Sequence, residues 1–343
     1  GILDQAAGLG CLSVRFTGGE PLMREDFGEL YVHARRLGLQ VDITTNATLI
    51  TRELARTFAE IPPLGKIEVT LYGASKASHE AVTRVAGSFD LACQGVQHLV
   101  EQAVPFSVRG VILPQNLQER PAFEACVASL TPDTPTPLYT VLLDLRARRD
   151  SQAKNREIQA LRLPVEACWS QLAFHPETYL RDVKRLLGKL YVPMQKRLFV
   201  CGVGKGSACL DAYGTIQACF LLRKPSTTYD LLAPGNTLEE AVKHAFPALA
   251  KEEAKNPVYL KRCARCFLRG LCEQCPARSW TEHGTLDSPL DYFCEVAHYQ
   301  ARCLGLLSKG ERAWEVEDPA SRLGVLTEKE AGHPTRCFLD DVS

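Results

Sequence analysis

The sequence predicts an α/β fold, with a parallel sheet in its first part and a small cysteine-rich second part. Three observations carry that expectation. Through the first 150 residues, short β-branched runs alternate with amphipathic helical stretches, and such alternation calls for parallel strands joined by right-handed crossovers, as a barrel or an open sheet. Eight of the 14 cysteines fall between Cys201 and Cys294. No run of eighteen or more apolar residues occurs, so a membrane-spanning helix is not expected.

In chain order, Leu12–Phe16, Val41–Thr45, Lys66–Tyr72, Phe106–Leu113 and Tyr139–Leu143 have the composition of buried strands. Between them, Phe27–Leu37, Arg52–Ala59, Phe89–Gln102 and Ala122–Leu130 have helical periodicity, the first stopped by Gly38. Thr131–Pro137 holds three prolines and reads as a loop before the last strand. The expected domains are residues 1–150, a helical bridge over 151–198 opened in part by His175-Pro176, a cysteine-rich domain over 199–307, and a polar, loosely held tail over 308–343. Within the third, Leu210–Ala212 and Thr215–Ala218 flank Gly214 as a hairpin, and Thr237–Phe246 and Pro289–Leu307 read as helices.

Of the 343 residues, 45 % are hydrophobic and 23 % charged, which is ordinary for a globular chain with a packed core. The 40 basic and 40 acidic residues cancel, so nothing in the charge points to nucleic acid or to an anionic membrane. Gly1–Gln5 has neither the basic nor the apolar region of a signal peptide, and there is no initiating Met. Cysteines in such a chain point to metal or cluster ligation in a reducing compartment, the cytoplasm, over a disulfide framework.

Phe16-Thr17-Gly18-Gly19-Glu20-Pro21-Leu22 follows a strand and precedes a helix, the place where parallel α/β structures collect ligands. Two glycines let the backbone approach a ligand, and Glu20 offers a carboxylate to an ammonium group. A tight turn with a solvated Glu20 is the alternative. The segment resembles the Gly-Gly-Glu motif of radical S-adenosylmethionine (SAM) enzymes, in which those residues bind the amino group of SAM. Asp42–Ala47, Val69–Ser75 and Thr83–Phe89 are similar to segments that follow in that family. The resemblance implies SAM contacts from Gly18, Gly19, Glu20, Thr45, Asn46, Thr70 and Arg84, although any of the last four would also serve as a helix cap or backbone partner. The family's Cys-x3-Cys-x2-Cys motif precedes Gly-Gly-Glu, whereas only Cys11 precedes Gly18 here. The expectation is a copy that begins partway through the first helix, or else a silent relative, without the SAM-cleaving cluster and inactive alone.

The cysteines read Cys201-x7-Cys209-x4-Gly214-x4-Cys219, then Cys263-x2-Cys266-x5-Cys272-x2-Cys275, then Cys294. Cys-x2-Cys pairs place two thiolates on one turn, and eight cysteines match two four-thiolate clusters. A zinc site built from Cys263, Cys266, Cys272 and Cys275 is also permitted by spacing. The order and spacing look like the SPASM extension of radical SAM peptide-modifying enzymes. That resemblance implies one auxiliary cluster on Cys201, Cys219 and Cys275 with Cys209 as fourth ligand, and another on Cys263, Cys266, Cys272 and Cys294. Cys209, on an expected strand, is as readily a buried inert thiol. Cys11, Cys93, Cys126, Cys168, Cys303 and Cys337 lack spacing partners and read as core or surface thiols. His33, His79, His98 and His283 are isolated and read as structural, and Trp280 as packing over a cluster.

The resemblance therefore implies an incomplete (β/α)6 radical SAM barrel followed by a SPASM domain. It implies SAM and two auxiliary 4Fe-4S clusters as cofactors, with a third cluster in the complete protein, and a 5′-deoxyadenosyl radical that abstracts a hydrogen from a ribosomally made precursor peptide or protein. A reducing partner such as ferredoxin or flavodoxin would supply the electron. Porphyrin or other small-molecule chemistry, and a non-catalytic iron–sulfur or zinc protein that binds a peptide, are the alternatives. No residue is singled out as catalytic.

Overall fold

The computed structural model describes residues 1–131, 136–146, 151–190 and 196–328. The chain divides into two compact units, Gly1–Val141 and Leu142–Ser343.

In the first unit, β1 (Ser13–Phe16), β2 (Gln40–Thr45), β3 (Leu64–Thr70), β4 (Ser107–Val111) and β5 (Leu138–Thr140) lie side by side in sequence order. Every neighbouring pair is parallel. The crossovers carry the helices Phe27–Arg36, Arg52–Glu60, Ser88–Glu101 and Arg120–Leu130, within two residues of their expected starts. Thr51 starts the second of these by accepting a hydrogen bond from Leu54 N at 3.1 Å, a side-chain N-cap. Alternate strand residues Val41, Ile43, Ile67, Val69 and Val108 are buried against Tyr31, Ala34, Phe58, Val96 and Leu99 from the helices. The intervening residues are Arg15, Asp42, Thr44, Glu68 and Arg109, so one sheet face is apolar and the other charged.

The β2–β3 register advances two residues on β2, from Val41 to Ile43, against three on β3, from Leu64 to Ile67. This is a β-bulge, closed by Lys66 N donating to Asp42 Oδ1 at 2.8 Å. Gly65 permits it: a Cβ there would sit 2.3 Å from the Val41 carbonyl oxygen. Leu64 beside it has φ 59° and is 68 % exposed.

In the second unit, the helices Gln152–Ala160, Val165–Leu172 and Pro176–Leu190 are followed by a small antiparallel sheet of β6 (Cys209–Leu210), β7 (Thr215–Gln217) and β8 (Thr228–Asp230). Gly214, at φ 81°, makes the expected turn between β6 and β7. The expected bridge does not stand apart. Trp169, Tyr179, Leu180 and Val183 pack on Phe267, Leu268, Ala297 and Leu304 in one core, and the change of unit falls at residue 141, not 150. Nor is the whole tail loose. Ala313, Val316 and Leu323 join that core, the helix Pro319–Glu328 forms, and Arg322 pairs with Glu311 at 2.8 Å. These few apolar residues lie among charges, which hides them from a pattern search. Residues 329–343, with Cys337, and residues 132–135 of the expected loop lie outside the described residues. Cys303, read from the sequence as a lone thiol, is disulfide-bonded. Among the described residues no helix is long and apolar enough to cross a membrane.

Candidate functional sites

The first site forms where β1 and β2 end. Gly18 takes φ 129°, a left-handed-side conformation that favours glycine, and added Cβ atoms at Gly18 and Gly19 would meet nothing within 4 Å. The chain thus turns with open space over both glycines and delivers Glu20 to the start of the short turn Pro21–Met23. Glu20 Oε1 accepts from Leu22 N at 3.2 Å and from Thr45 Oγ1 at 2.7 Å. Its Oε2 accepts from Asn46 N at 2.7 Å. Thr45 Oγ1 in turn accepts from Ala47 N at 3.0 Å.

The structure therefore brings Glu20, Thr45 and Asn46 together. Thr45, 2 % exposed, holds the carboxylate. The Asn46 side chain accepts from Thr48 N and Thr48 Oγ1 at 2.9 and 2.7 Å and shapes the next turn. Thr70 closes β3 opposite Arg109 in register. Arg84 follows the helix Lys76–Thr83 at φ 58°. Arg15 bonds Glu68 and Asp42 at 3.2 and 3.3 Å, and Arg109 bonds the other Glu68 oxygen at 3.2 Å. That charged lattice escapes sequence reading because its members come from four strands. Its only local signal is a polar residue at every second strand position.

The second site is a cavity lined by Cys263, Cys266, Cys272 and Cys294, with Ala297, His298 and Trp314. The helix Pro257–Lys261 leads into Cys263 and Cys266, the turn Leu268–Gly270 leads into Cys272, and the helix Asp291–Cys303 carries Cys294. Burial, then the neighbouring Cys272 and Cys294 thiols, push Cys263 up to about 12. Burial likewise takes Cys266 to about 12 and drives Cys272 higher still. Such groups stay protonated unless a cation compensates the thiolate. Arg262 Nη2 reaches Cys294 Sγ at 3.5 Å and Asp291 Oδ1 at 3.0 Å, and the guanidinium lies 4.8 Å from the Trp314 ring centre. His298 Nδ1–H donates to the Cys294 carbonyl at 2.8 Å while its Nε2 accepts from Ala313 N at 3.2 Å. Burial lowers its pKa, which keeps it neutral.

Outside that cavity, Cys209 lies on β6, Cys219 after β7 and Cys275 at the start of the helix Pro276–His283. Burial raises both Cys209 and Cys275, and the charge of Cys219 adds to each. Cys201 is exposed. Cys275 is not in the wall of the second-site cavity. Among the described residues no three His, Cys, Asp or Glu side chains gather tightly enough for one metal ion. Of the isolated histidines, His79 lies between the Tyr72 and Phe89 rings and His98 bonds the Ile50 carbonyl at 2.7 Å, both structural positions.

Residues 2–125 match the radical SAM superfamily. That match falls within the first unit. Over 121 residues the chain is 35 % identical to Fe-coproporphyrin III synthase of Methanosarcina barkeri, covering 35 % of this chain and 30 % of that enzyme. Over 314 residues it is 27 % identical to mycofactocin maturase MftC of Mycobacterium tuberculosis, covering 87 % of this chain and 74 % of the maturase. The chain thus spans under a third of the first relative's length. The structure of Streptococcus suis SuiB bound to precursor peptide SuiA superposes with TM-score 0.54 at 16 % identity, covering 83 % of this chain and 66 % of that one. That likeness is one of fold. The matched residues contain β1–β4 and the Gly18–Glu20 turn at the strand ends.

Proposed function

We propose that this chain is the radical SAM and SPASM part of an enzyme that modifies a ribosomally made peptide or protein. The observation that carries the reading is the reach of the maturase similarity. It runs over 314 residues, too long for the first unit alone, whereas the similarity to the coproporphyrin synthase covers 121. The residues present fit SAM at the first site. Glu20 is a fixed carboxylate beside open glycines, with room in its lone pairs for an ammonium group. Gly18 and Gly19 would admit the ligand, Thr45 and Asn46 orient Glu20, and Thr70 and Arg84 stand on the neighbouring segments. SAM, once bound with its cluster, supplies hydrogen-abstraction chemistry.

The thiols fit two auxiliary 4Fe-4S clusters, one on Cys263, Cys266, Cys272 and Cys294, the other on Cys209, Cys219, Cys275 and Cys201. Donors spread round a cavity wall suit a cluster better than one zinc ion, which draws four sulfurs to about 2.3 Å. The grouped thiols point to a reducing compartment, the cytoplasm, with the Cys303 disulfide the exception, and ferredoxin or flavodoxin would bring electrons. A porphyrin substrate is the second reading, favoured by the higher identity to the coproporphyrin synthase.

The test is anaerobic reconstitution of this chain with iron and sulfide counted, followed, once a Cys-x3-Cys-x2-Cys segment is supplied upstream of Gly18, by incubation with SAM, a reductant and either a candidate precursor peptide or coproporphyrin. Two clusters' worth of iron and sulfide and a changed peptide mass are expected. Stoichiometric zinc without sulfide would overturn the cluster assignment. An unchanged peptide beside a changed porphyrin mass would overturn the substrate.

A further inference from the structure

The cysteine sites differ in how their nearby cations are neutralised. Near Cys275, Arg278 bonds Asp144 and Glu273. Near Cys209, Arg223 bonds Asp211 at 3.2 Å, a carboxylate only 9 % exposed. Around Cys294 the balance is looser. Arg262 has one carboxylate partner, Asp291, which is 74 % exposed and so largely screened by water. Arg262 Nε is buried with no hydrogen-bond partner among the described residues. Arg312 stands 5.8 Å from the same Trp314 ring.

We propose that Arg262 is a tuning residue that raises the reduction potential of the cluster on Cys263, Cys266, Cys272 and Cys294, making that site the electron sink of the two. The inference rests on the ligand assignment made above. A cluster held by four thiolates is already anionic, and reduction adds one more negative charge. Hydrogen bonds to ligand sulfur and nearby positive charge favour the reduced state. Arg262 provides both from a fixed position, 3.5 Å from Cys294 Sγ, stacked on Trp314 and anchored by Asp291. Its place one residue before Cys263 ties it to two ligands at once. His298 adds no charge, since both ring nitrogens are engaged in neutral-state hydrogen bonds.

The experiment is a potentiometric titration followed by electron paramagnetic resonance on the full chain, reconstituted anaerobically. Wild type, Arg262→Gln and Cys263→Ala are compared, with iron and sulfide counted in each. Cys263→Ala identifies which signal belongs to this site. If it removes no cluster, the ligand assignment fails, whatever Arg262 does. Arg262→Gln is expected to keep both clusters while the oxidised-to-reduced ratio of the identified one rises ten-fold or more at fixed poise, about 59 mV for one electron. The other cluster should not move. Two unchanged midpoints would overturn the proposal. Should Arg262→Gln lose iron, Arg262→Lys becomes the test, because it keeps charge and stem but not the planar fork. Its midpoint is expected to fall by a smaller amount, and an unchanged one overturns the proposal equally.

Discussion

Glu20 accepts from two backbone amides and one hydroxyl, an arrangement that fixes the carboxylate at a turn open to ligand. Glu20→Gln keeps the volume but gives up the charge and turns an amide N–H₂ toward one of these donors. A charge-assisted hydrogen bond to an ammonium group is worth roughly 1.5–3 kcal/mol. SAM affinity is therefore expected to fall by about ten- to a hundred-fold. Calorimetric titration of SAM into both proteins checks this, and equal affinities would leave Glu20 a turn residue only. Tyr31 makes a different case. Its fully buried hydroxyl donates to the Ile61 carbonyl, and burial pushes its pKa up to about 12. The folded state therefore favours the neutral phenol. Its stabilising effect is complete below the unfolded pKa of about 10 and is lost as pH rises toward 12. Denaturation midpoints measured between pH 8 and 11.5 should fall more steeply for wild type than for Tyr31→Phe, and parallel curves would contradict this. At this scale the sequence points to Glu20 because a glycine pair announces it, whereas Arg262, His298 and Trp314 meet only through folding.

The Cys-x2-Cys turn is a small element that brings two donors together before any tertiary structure forms, which is why it is legible in the sequence. Cys263 and Cys266 share one cavity wall, as that spacing implies. The separation of Cys275 from Cys272 is not legible from spacing, which pairs them. It follows from the helix Pro276–His283, whose start places Cys275 near Cys219. Hence Cys263→Ala and Cys219→Ala should each remove about half of the iron, and the double variant nearly all of it, by elemental analysis. If Cys263→Ala and Cys275→Ala instead abolished the same spectroscopic signal and spared the other, the division would be wrong. The strands were legible through their alternating residues to within a few positions. β5 is shorter than expected, three residues. The β2–β3 bulge was not legible, since it depends on how closely two backbones approach.

The two units have separate cores, and the clusters proposed above all fall in the second. The second unit has a small sheet, and four of its half-buried thiols face a cavity instead of packing partners. Binding a cluster that the unfolded chain cannot hold stabilises the fold that presents it. Hydrogen exchange on apo and reconstituted protein should therefore show added protection over residues 196–328, while β1–β4 exchange at the same rates in both. Protection gained equally in β2 and β3 would argue against separate stabilisation.

The approach of Gly65 to Val41 also sets how this sheet tolerates mutation. Any side chain at position 65 would strike backbone, which cannot swing aside as a long side chain can. The chain would relieve the clash by slipping β3 one residue, and a one-residue slip exchanges the faces, sending Ile67 and Val69 to the charged side and Glu68 into the core. A saturation library should therefore lose nearly every substitution at position 65, though the residue is only half-buried and touches no proposed ligand site. The next position reverses the outcome. Leu64 carries a side chain in a left-handed conformation while mostly exposed, so Leu64→Gly or Leu64→Asn should be enriched by about 0.5–1 kcal/mol of added stability. Two adjacent residues would then sit at opposite extremes of the fitness map.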